Sequence, residues 1–204
     1  KAELKAELVL RSRQYAIYRT ELLTFGDHIP RVPLGEIATI GTGNHDTKDA
    51  VADGAYVFYA RGRDPLRLES FDFDERAIIT AGDGVGVGKV FHFADGKYAL
   101  HQRAYRIVPD AGVDPRYIYH YLVTDFDRYL ERISVHASVT SLRRPMFLNY
   151  PVAVPPLAEQ ERIVAILDKF DALVKDLSFG LPAEIRARQA QYAYYRDKLL
   201  TFEE

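Results

Sequence analysis

The chain carries the same helix-forming segment near both of its ends. Residues 6–25 and residues 183–202 align without gaps at an offset of 177 and are identical at 12 of 20 positions. Both copies lack internal Gly and Pro and are rich in Ala, Leu, Glu, Arg and Gln, which are strong helix formers. A repeated helix at either end therefore constrains the fold more than any other feature of the sequence.

In each copy, large side chains recur every seven residues, which is typical of a helix that pairs with another helix. The predicted pairing residues are Leu8, Tyr15, Tyr18 and Leu22 in the first copy and Ile185, Tyr192, Tyr195, Leu199 and Phe202 in the second. We expect the copies to pair with each other or with equivalent helices of a second chain. The alternative is that each copy is an amphipathic helix packed on a globular body.

Between the repeats the sequence changes to short β-type runs separated by turn residues. The predicted strands are Val32–Ile40, Tyr56–Ala60, Arg76–Thr80, Lys89–Phe93 and Tyr98–Val108, with a hairpin at Asp95-Gly96. Helices are predicted over Asp114–Arg132, with Asp114 as N-cap, and over Leu157–Leu177. The predicted fold class is α+β, with one mixed, β-rich globular domain and long helices.

Composition and charge exclude several classes of protein. No window approaches the roughly 18 consecutive apolar residues of a membrane span, and we expect a cytoplasmic location. Cysteine is absent, which removes disulfides, thiolate nucleophiles and cysteine metal sites. The chain has 27 Lys and Arg residues and 29 Asp and Glu residues, so its net charge is −2. Nucleic-acid binding would therefore have to depend on a locally basic surface.

Catalytic motifs are incomplete throughout the sequence. The glycine-rich run 81–89 has Asp83 where a phosphate-binding loop needs Gly, and Val90 where it needs Ser or Thr. We interpret these glycines as sharp turns or close backbone approaches. The six His residues lack metal-ligand spacing, so the sequence predicts neither a catalytic residue nor a metal site.

Several segments resemble the specificity subunits of type I restriction-modification enzymes. The clearest is 154–164, which resembles the proline-to-helix junction that ends a target recognition domain in that family. Residues 191–202 resemble the end of the family's conserved spacer helix. Residues 79–92, 98–107 and 137–145 resemble one subgroup of its recognition domains.

The resemblance implies three segments and a non-catalytic function. Residues 1–25 would be a spacer helix, 26–156 a target recognition domain, and 157–204 a helical conserved region with the second repeat copy. Family members carry two recognition domains and two antiparallel spacer helices, so we expect either an excised half-subunit or a one-domain form that dimerises. The helices would then form an antiparallel coiled coil.

The same resemblance implies the partners. The chain would recognise one half of a bipartite double-stranded DNA target and dock a modification (methyltransferase) subunit, which would bring S-adenosylmethionine. A restriction (motor-nuclease) subunit would join indirectly, and the chain itself would hold no cofactor. A coiled-coil assembly module that does not read DNA remains the alternative.

Candidate DNA-contacting residues come first from the window 133–156, whose only charged residues are Arg143 and Arg144, near the hydroxyls of Thr140 and Ser141. Arg can donate two hydrogen bonds to guanine, and hydroxyls can contact phosphate oxygens. The further candidates are Arg61, Arg63, Lys89, His101, Gln102, Arg103, Asn44, His45 and Lys48. The alternative for the arginines is ion pairing with nearby carboxylates or a solvated surface.

Overall fold

The structure, a computed structural model, describes residues 2–84, 86–133, 142–175 and 180–200. The chain divides into two compact units, a helical unit of residues 1–24 with 163–204 and a globular unit of residues 25–162. The β-strands lie in the globular unit, so the predicted α+β class is confirmed.

Both copies of the sequence repeat are helical over most of their length, the first as far as Leu22 and the second as far as Leu200. Residues 23–25 follow the first helix, and residues 201 and 202 lie outside the described residues. Within the described residues the α-helices are α1 Ala2–Leu22, α2 Pro115–Ile133, α3 Arg144–Leu148, α4 Leu157–Lys175 and α5 Gly180–Leu200. The predicted helix after Asp114 is confirmed, and the one predicted from Leu157 is confirmed as far as Lys175. Residues 176–179 lie outside the described residues.

The strands form two sheets. In the described residues the strands are β1 Arg31–Pro33, β2 Ala38–Thr42, β3 Tyr56–Tyr59, β4 Leu66–Leu68, β5 Phe73–Ala81, β6 Phe91–Leu100, β7 Ala104–Pro109 and β8 Pro151–Ala153. β1 and β8 form a two-stranded antiparallel sheet. The other six follow the order β2-β7-β5-β6-β3-β4, antiparallel except between β3 and β6.

The predicted single strand Val32–Ile40 is wrong, because the chain changes sheets within it. β1 pairs with β8, whereas β2 pairs with β7 of the larger sheet. The chain passes from one sheet to the other through a 3₁₀ turn over Leu34–Glu36. The side chain of Leu34 is fully buried and holds this turn in place. The Leu34 backbone N–H also donates to the Tyr150 carbonyl over 2.8 Å.

The predicted hairpin at Asp95-Gly96 is also wrong. β6 continues through both residues, which lie opposite Arg76 and Glu75 of β5. Gly96 adopts a φ of 97°, a conformation that glycine reaches without steric cost, inside the strand. Pairing of β6 with β5, the preceding strand, and with β3 therefore overrides the local hairpin signal.

The chain turns instead at residues 101–103, so the predicted strand Tyr98–Val108 is two strands. At the turn the His101 N–H donates to the Tyr59 carbonyl over 3.0 Å, and the Gln102 N–H donates to the His45 carbonyl over 2.9 Å. The turn itself is closed by the Ala104 N–H, which donates to the His101 carbonyl over 3.0 Å. Gln102 and Arg103 are therefore both exposed on a turn. In a continuous strand their side chains would point to opposite faces of the sheet.

Helix α2 supplies the largest aromatic part of the core. Asp114 caps it, because its carboxylate accepts hydrogen bonds from the Arg116 and Tyr117 N–H groups at 2.7 and 3.0 Å. Further along the helix, Phe126 stacks on Phe147 of α3 with ring centroids 5.0 Å apart. The core thereby anchors α3, which begins at Arg144.

Gly43 is required where the chain leaves β2 and approaches the end of β6. A Cβ atom at this position would overlap the backbone carbonyl group of Leu100. We expect Gly43→Ala to lower the free energy of unfolding by about 2 to 3 kcal/mol, because backbone has to shift to admit the methyl group. Urea denaturation measures this.

The matched control is Gly62→Ala, where the nearest atom to an added Cβ lies 3.8 Å away. We expect that variant to stay within about 0.5 kcal/mol of wild type. Equal losses of stability in the two variants would contradict the role given to Gly43.

Candidate nucleic-acid interface

A cavity in the globular unit brings several of the predicted residues together. Its volume is about 350 Å³, and it is lined by Thr42, Gly82, Asp83, Gln102, Arg103, Tyr105 and Leu142. The lining comes from the end of β2, the glycine-rich turn after β5, the turn before β7, the start of β7 and the residue that precedes Arg143. Polar side chains dominate this lining, so the cavity suits a polar ligand.

Asp83 links two of the predicted arginines at this cavity. Its Oδ1 accepts a hydrogen bond from Arg61 Nη1 at 3.0 Å, and its Oδ2 accepts one from Arg103 Nη1 at 3.1 Å. Partial burial favours the neutral acid, but the hydrogen bonds and positive charges of both arginines outweigh it and lower the pKa of Asp83. Two cations and one anion leave a local positive charge.

Backbone hydrogen bonds join the glycine-rich turn to the other two segments. The Gly82 N–H donates to the Arg103 carbonyl at 2.8 Å, and the Leu142 N–H donates to the Gly82 carbonyl at 2.7 Å. Arg143 and Arg144 follow directly and are exposed. The glycine-rich run therefore joins candidate segments through its backbone, and at Gly82 it approaches the Arg103 backbone closely.

The loop that contains Asn44, His45 and Lys48 lies beside the turn of Gln102. Asp46 in this loop accepts a hydrogen bond from the Gln102 side-chain amide at 3.1 Å. His45 Nε2 lies 3.1 Å from the Asp72 carboxylate, whereas Asn44 and Lys48 are exposed. The side chain of Gln102 is thereby oriented before any ligand arrives.

His101 shapes the turn from inside. It is buried, and its Nδ1 accepts the Arg103 backbone N–H at 2.9 Å. Burial lowers the pKa of His101, and the nearby Arg61 charge acts in the same direction. His101 therefore supports the turn that carries Gln102 and Arg103.

The remaining predicted residues are dispersed. Arg63 and Lys89 are exposed but do not line the cavity. Thr140 and Ser141 lie outside the described residues. The structure thus brings Arg61, Gln102 and Arg103 together at one site. The Leu142–Gly82 hydrogen bond joins the segment that leads to Arg143 to the same site.

We expect Asp83→Asn to change how stability depends on pH. The pKa of Asp83 in the folded chain lies below its ordinary value of 3.8, so the carboxylate stabilises the fold above that value. This contribution is lost as the pH falls through the lowered pKa. The difference in unfolding free energy between wild type and variant should shrink below about pH 4, and urea denaturation between about pH 6 and 2 measures it. A difference in unfolding free energy that stays constant with pH would contradict this prediction.

In the helical unit, equivalent residues of the two repeat copies have different surroundings. Tyr15 of α1 is 4% exposed and stacks on Phe170 of α4, with ring centroids 5.9 Å apart. Its counterpart Tyr192 of α5 is 64% exposed. Tyr18 also stacks on Phe170 at 5.8 Å, but it is 41% exposed, so it differs little from its counterpart Tyr195, which is 52% exposed.

Of the other predicted pairing residues, the structure describes only the side chain of Leu22, which is half-buried. The side chains of Leu8, Ile185 and Leu199 are outside those described, and Phe202 lies outside the described residues. α1 also contacts α5.

Burial raises the pKa of Tyr15, and the nearby Asp171 carboxylate raises it further, so the Tyr15 hydroxyl stays neutral.

Metal and membrane features are also missing from the parts of the chain that the structure describes. There, no group of three or more His, Asp or Glu side chains is arranged to hold a metal ion. In the same ranges, none of the helices combines the length and apolar character of a membrane span.

Asp83, Asp46, Thr42 and Tyr105 were missed by the sequence analysis. In the sequence, Asp83 stands out only as the residue that breaks a phosphate-binding pattern. Its partners lie 22 and 20 residues away in sequence, so no local pattern could reveal them. The available signal was the isolated position of Asp83 as the one charged residue among the glycines of residues 81–88.

Comparison with known proteins points to one family. A family described as "Type I restriction modification DNA specificity domain" matches residues 30–187. The chain is 29% identical over 230 residues to the type I restriction enzyme EcoR124I/EcoR124II specificity subunit of Escherichia coli, covering 98% of this chain and 55% of that relative. The chain therefore spans about half the length of this curated relative.

Solved structures share the fold. The type I restriction-modification S subunit of M. genitalium superposes with a TM-score of 0.73 at 14% identity, over 98% of this chain and 55% of that one. The HsdS subunit of Thermoanaerobacter tengcongensis gives 0.60 at 16% identity, over 87% and 51%. Because the family match covers most of the chain, the chain belongs to the type I restriction-modification DNA specificity domain family.

Proposed function

We propose that this chain is a DNA-recognition subunit of a type I restriction-modification system. It reads one half of a bipartite double-stranded target through a recognition domain over residues 26–156, flanked by helical segments 1–25 and 157–204. The observation that carries the proposal is the convergence of Arg61, Gln102, Arg103 and the segment leading to Arg143 at one cavity. Family membership favours this function over an assembly module without DNA reading.

The charge of the globular unit is consistent with local rather than global attraction to DNA. Residues 25–162 contain 16 Lys and Arg residues against 19 Asp and Glu residues. Only a locally positive surface can therefore attract phosphates. Phosphate contacts would set the orientation, and contacts to base edges would set the sequence.

The chain is proposed to catalyse no reaction itself. Its helical unit docks a methyltransferase subunit, which supplies S-adenosylmethionine, and a motor-nuclease subunit joins through that partner in the cytoplasm. This proposal rests on family membership and on the incomplete catalytic motifs of the sequence.

The first test is the salt dependence of DNA binding by the full chain with its methyltransferase subunit. Two to four phosphate contacts, with Arg143 and Arg144 among them, predict a slope of log affinity against log salt between about −2 and −4. A slope near zero, or no binding at low salt, would contradict DNA recognition. Retained binding to the methyltransferase subunit in that case would favour the assembly module.

We further propose an antiparallel coiled coil between spacer helices of two copies of this chain. The support is the difference between one pair of equivalent tyrosines, since Tyr15 is buried against Phe170 whereas Tyr192 is exposed, together with the exposure of Tyr195 on the same helix. Large exposed aromatic side chains on one helix indicate an interaction surface. A second copy would offer α5 the same kind of face that α4 offers α1.

We expect the chain alone to sediment as a dimer at micromolar concentration, and Tyr192→Ala with Tyr195→Ala to raise the dimer dissociation constant at least about tenfold. The matched control is Tyr56→Ala with Phe71→Ala, a partly exposed aromatic pair of the globular unit. A wild-type chain that stays monomeric at all concentrations would contradict the dimer.

A further inference from the structure

Asp83 is an acidic residue in the centre of a basic candidate interface. Its carboxylate bears a full negative charge and lacks a hydrogen-bond donor, so it repels a phosphate group. A site built only to hold the DNA backbone would have no use for it. Its place in the cavity lining instead suits a ligand group that donates a hydrogen bond, such as the amino group of a base.

Asp83 and Arg103 can each form further hydrogen bonds beside the one that joins them. Arg103 uses Nη1 for its bond to Asp83, and its side chain is 63% exposed, so further N–H groups of its five are accessible. The Asp83 side chain is 24% exposed, and each of its oxygens can accept more than one hydrogen bond. Arg61 holds the second oxygen and fixes the orientation of the carboxylate.

A linked Arg–Asp pair matches one base pair better than the other. In the major groove, a G·C pair presents two acceptors on guanine, N7 and O6, followed by the amino donor of cytosine. The pair formed by Arg103 and Asp83 offers two donors followed by an acceptor. An A·T pair places the adenine amino donor in the middle, opposite an arginine donor.

We infer that Arg103 and Asp83 together read one G·C base pair, with Arg103 donating to guanine and Asp83 accepting from the cytosine amino group. Arg61 acts as a positioning residue for Asp83. The inference rests on the proposed DNA-recognition function and adds the identity of one base pair and the residues that select it.

The test is selection from a random-sequence duplex library by the full chain with its methyltransferase subunit. Asp83→Asn, Arg103→Ala and wild type are compared. The wild type should enrich a motif that contains a G·C position at which each variant loses about tenfold or more of the preference. The remaining positions of the motif should keep their preferences.

The control is Asp95→Asn, which removes an exposed carboxylate paired with Arg76 at 3.3 Å, away from the cavity lining. It should leave the motif unchanged. If Asp83→Asn fails to fold, as circular dichroism would reveal, the exposed Arg103→Ala variant carries the test alone.

Three outcomes would overturn the inference. They are an unchanged motif in both variants, an even loss of enrichment at all positions, and relaxation of two different positions by the two variants. In each of these the wild type still selects a motif, so the proposed function stands. A wild type that selects no motif overturns the proposed function and this inference with it.

Discussion

Replacing Phe126 with alanine is expected to lower the free energy of unfolding by about 3 to 5 kcal/mol, the usual cost of removing a buried aromatic ring. Phe126 is fully buried, stacks on Phe147 at 5.0 Å and meets the Tyr150 ring edge-on at 5.1 Å. Surrounding rings cannot close the cavity that such a truncation leaves without moving α3. Urea or thermal denaturation measures the loss.

The matched control is Phe71→Ala, since Phe71 is 40% exposed and contacts Tyr56 and Lys97 at the surface. We expect a loss below about 1 kcal/mol for that variant. Comparable losses at the two positions would mean that the aromatic cluster around Phe126 does not stabilise the fold as described.

Replacing Arg143 and Arg144 together with alanine is expected to weaken binding to the DNA target roughly 10- to 100-fold. Both side chains are exposed, next to Leu142 of the cavity lining. If both contact phosphates, the salt slope should become shallower by about 1.8. Fluorescence anisotropy at several salt concentrations measures both quantities, and binding to the methyltransferase subunit should stay intact.

The control for charge removal is the double variant Arg76→Ala with Arg128→Ala. It also removes two exposed arginines from the globular unit, but neither lines the cavity. An equal loss of DNA affinity in the two double variants would indicate that only total charge matters. Unchanged affinity in Arg143→Ala with Arg144→Ala would exclude this loop from the interface.

Local signals in the sequence predicted local structure well. Asp114 followed by Pro115 predicted the start of α2, because an N-cap acts only on N–H groups two or three residues away. The repeat likewise predicted α1 and α5. Asp95-Gly96 gave a wrong prediction because β6 is extended by pairing with β5 and β3. The residues of those strands lie outside any local pattern around Asp95.

The candidate interface could be predicted only in its parts. The segment of Arg61 and the segment of Gln102 and Arg103 were identified separately, and the tertiary fold supplied Asp83, the common neighbour of the two arginines. The repeat also concealed a difference, because sequence identity cannot distinguish the buried Tyr15 from the exposed Tyr192. Which face of a helix is covered depends on its neighbours rather than on the helix.

Selection from a random-sequence duplex library by the full chain bound to its methyltransferase subunit tests DNA recognition most directly. We expect enrichment of a short motif, present as two copies at fixed spacing if the chain dimerises, with affinity that falls as salt rises. An intact complex that binds DNA without enriching any sequence, or does not bind DNA at all, would contradict it.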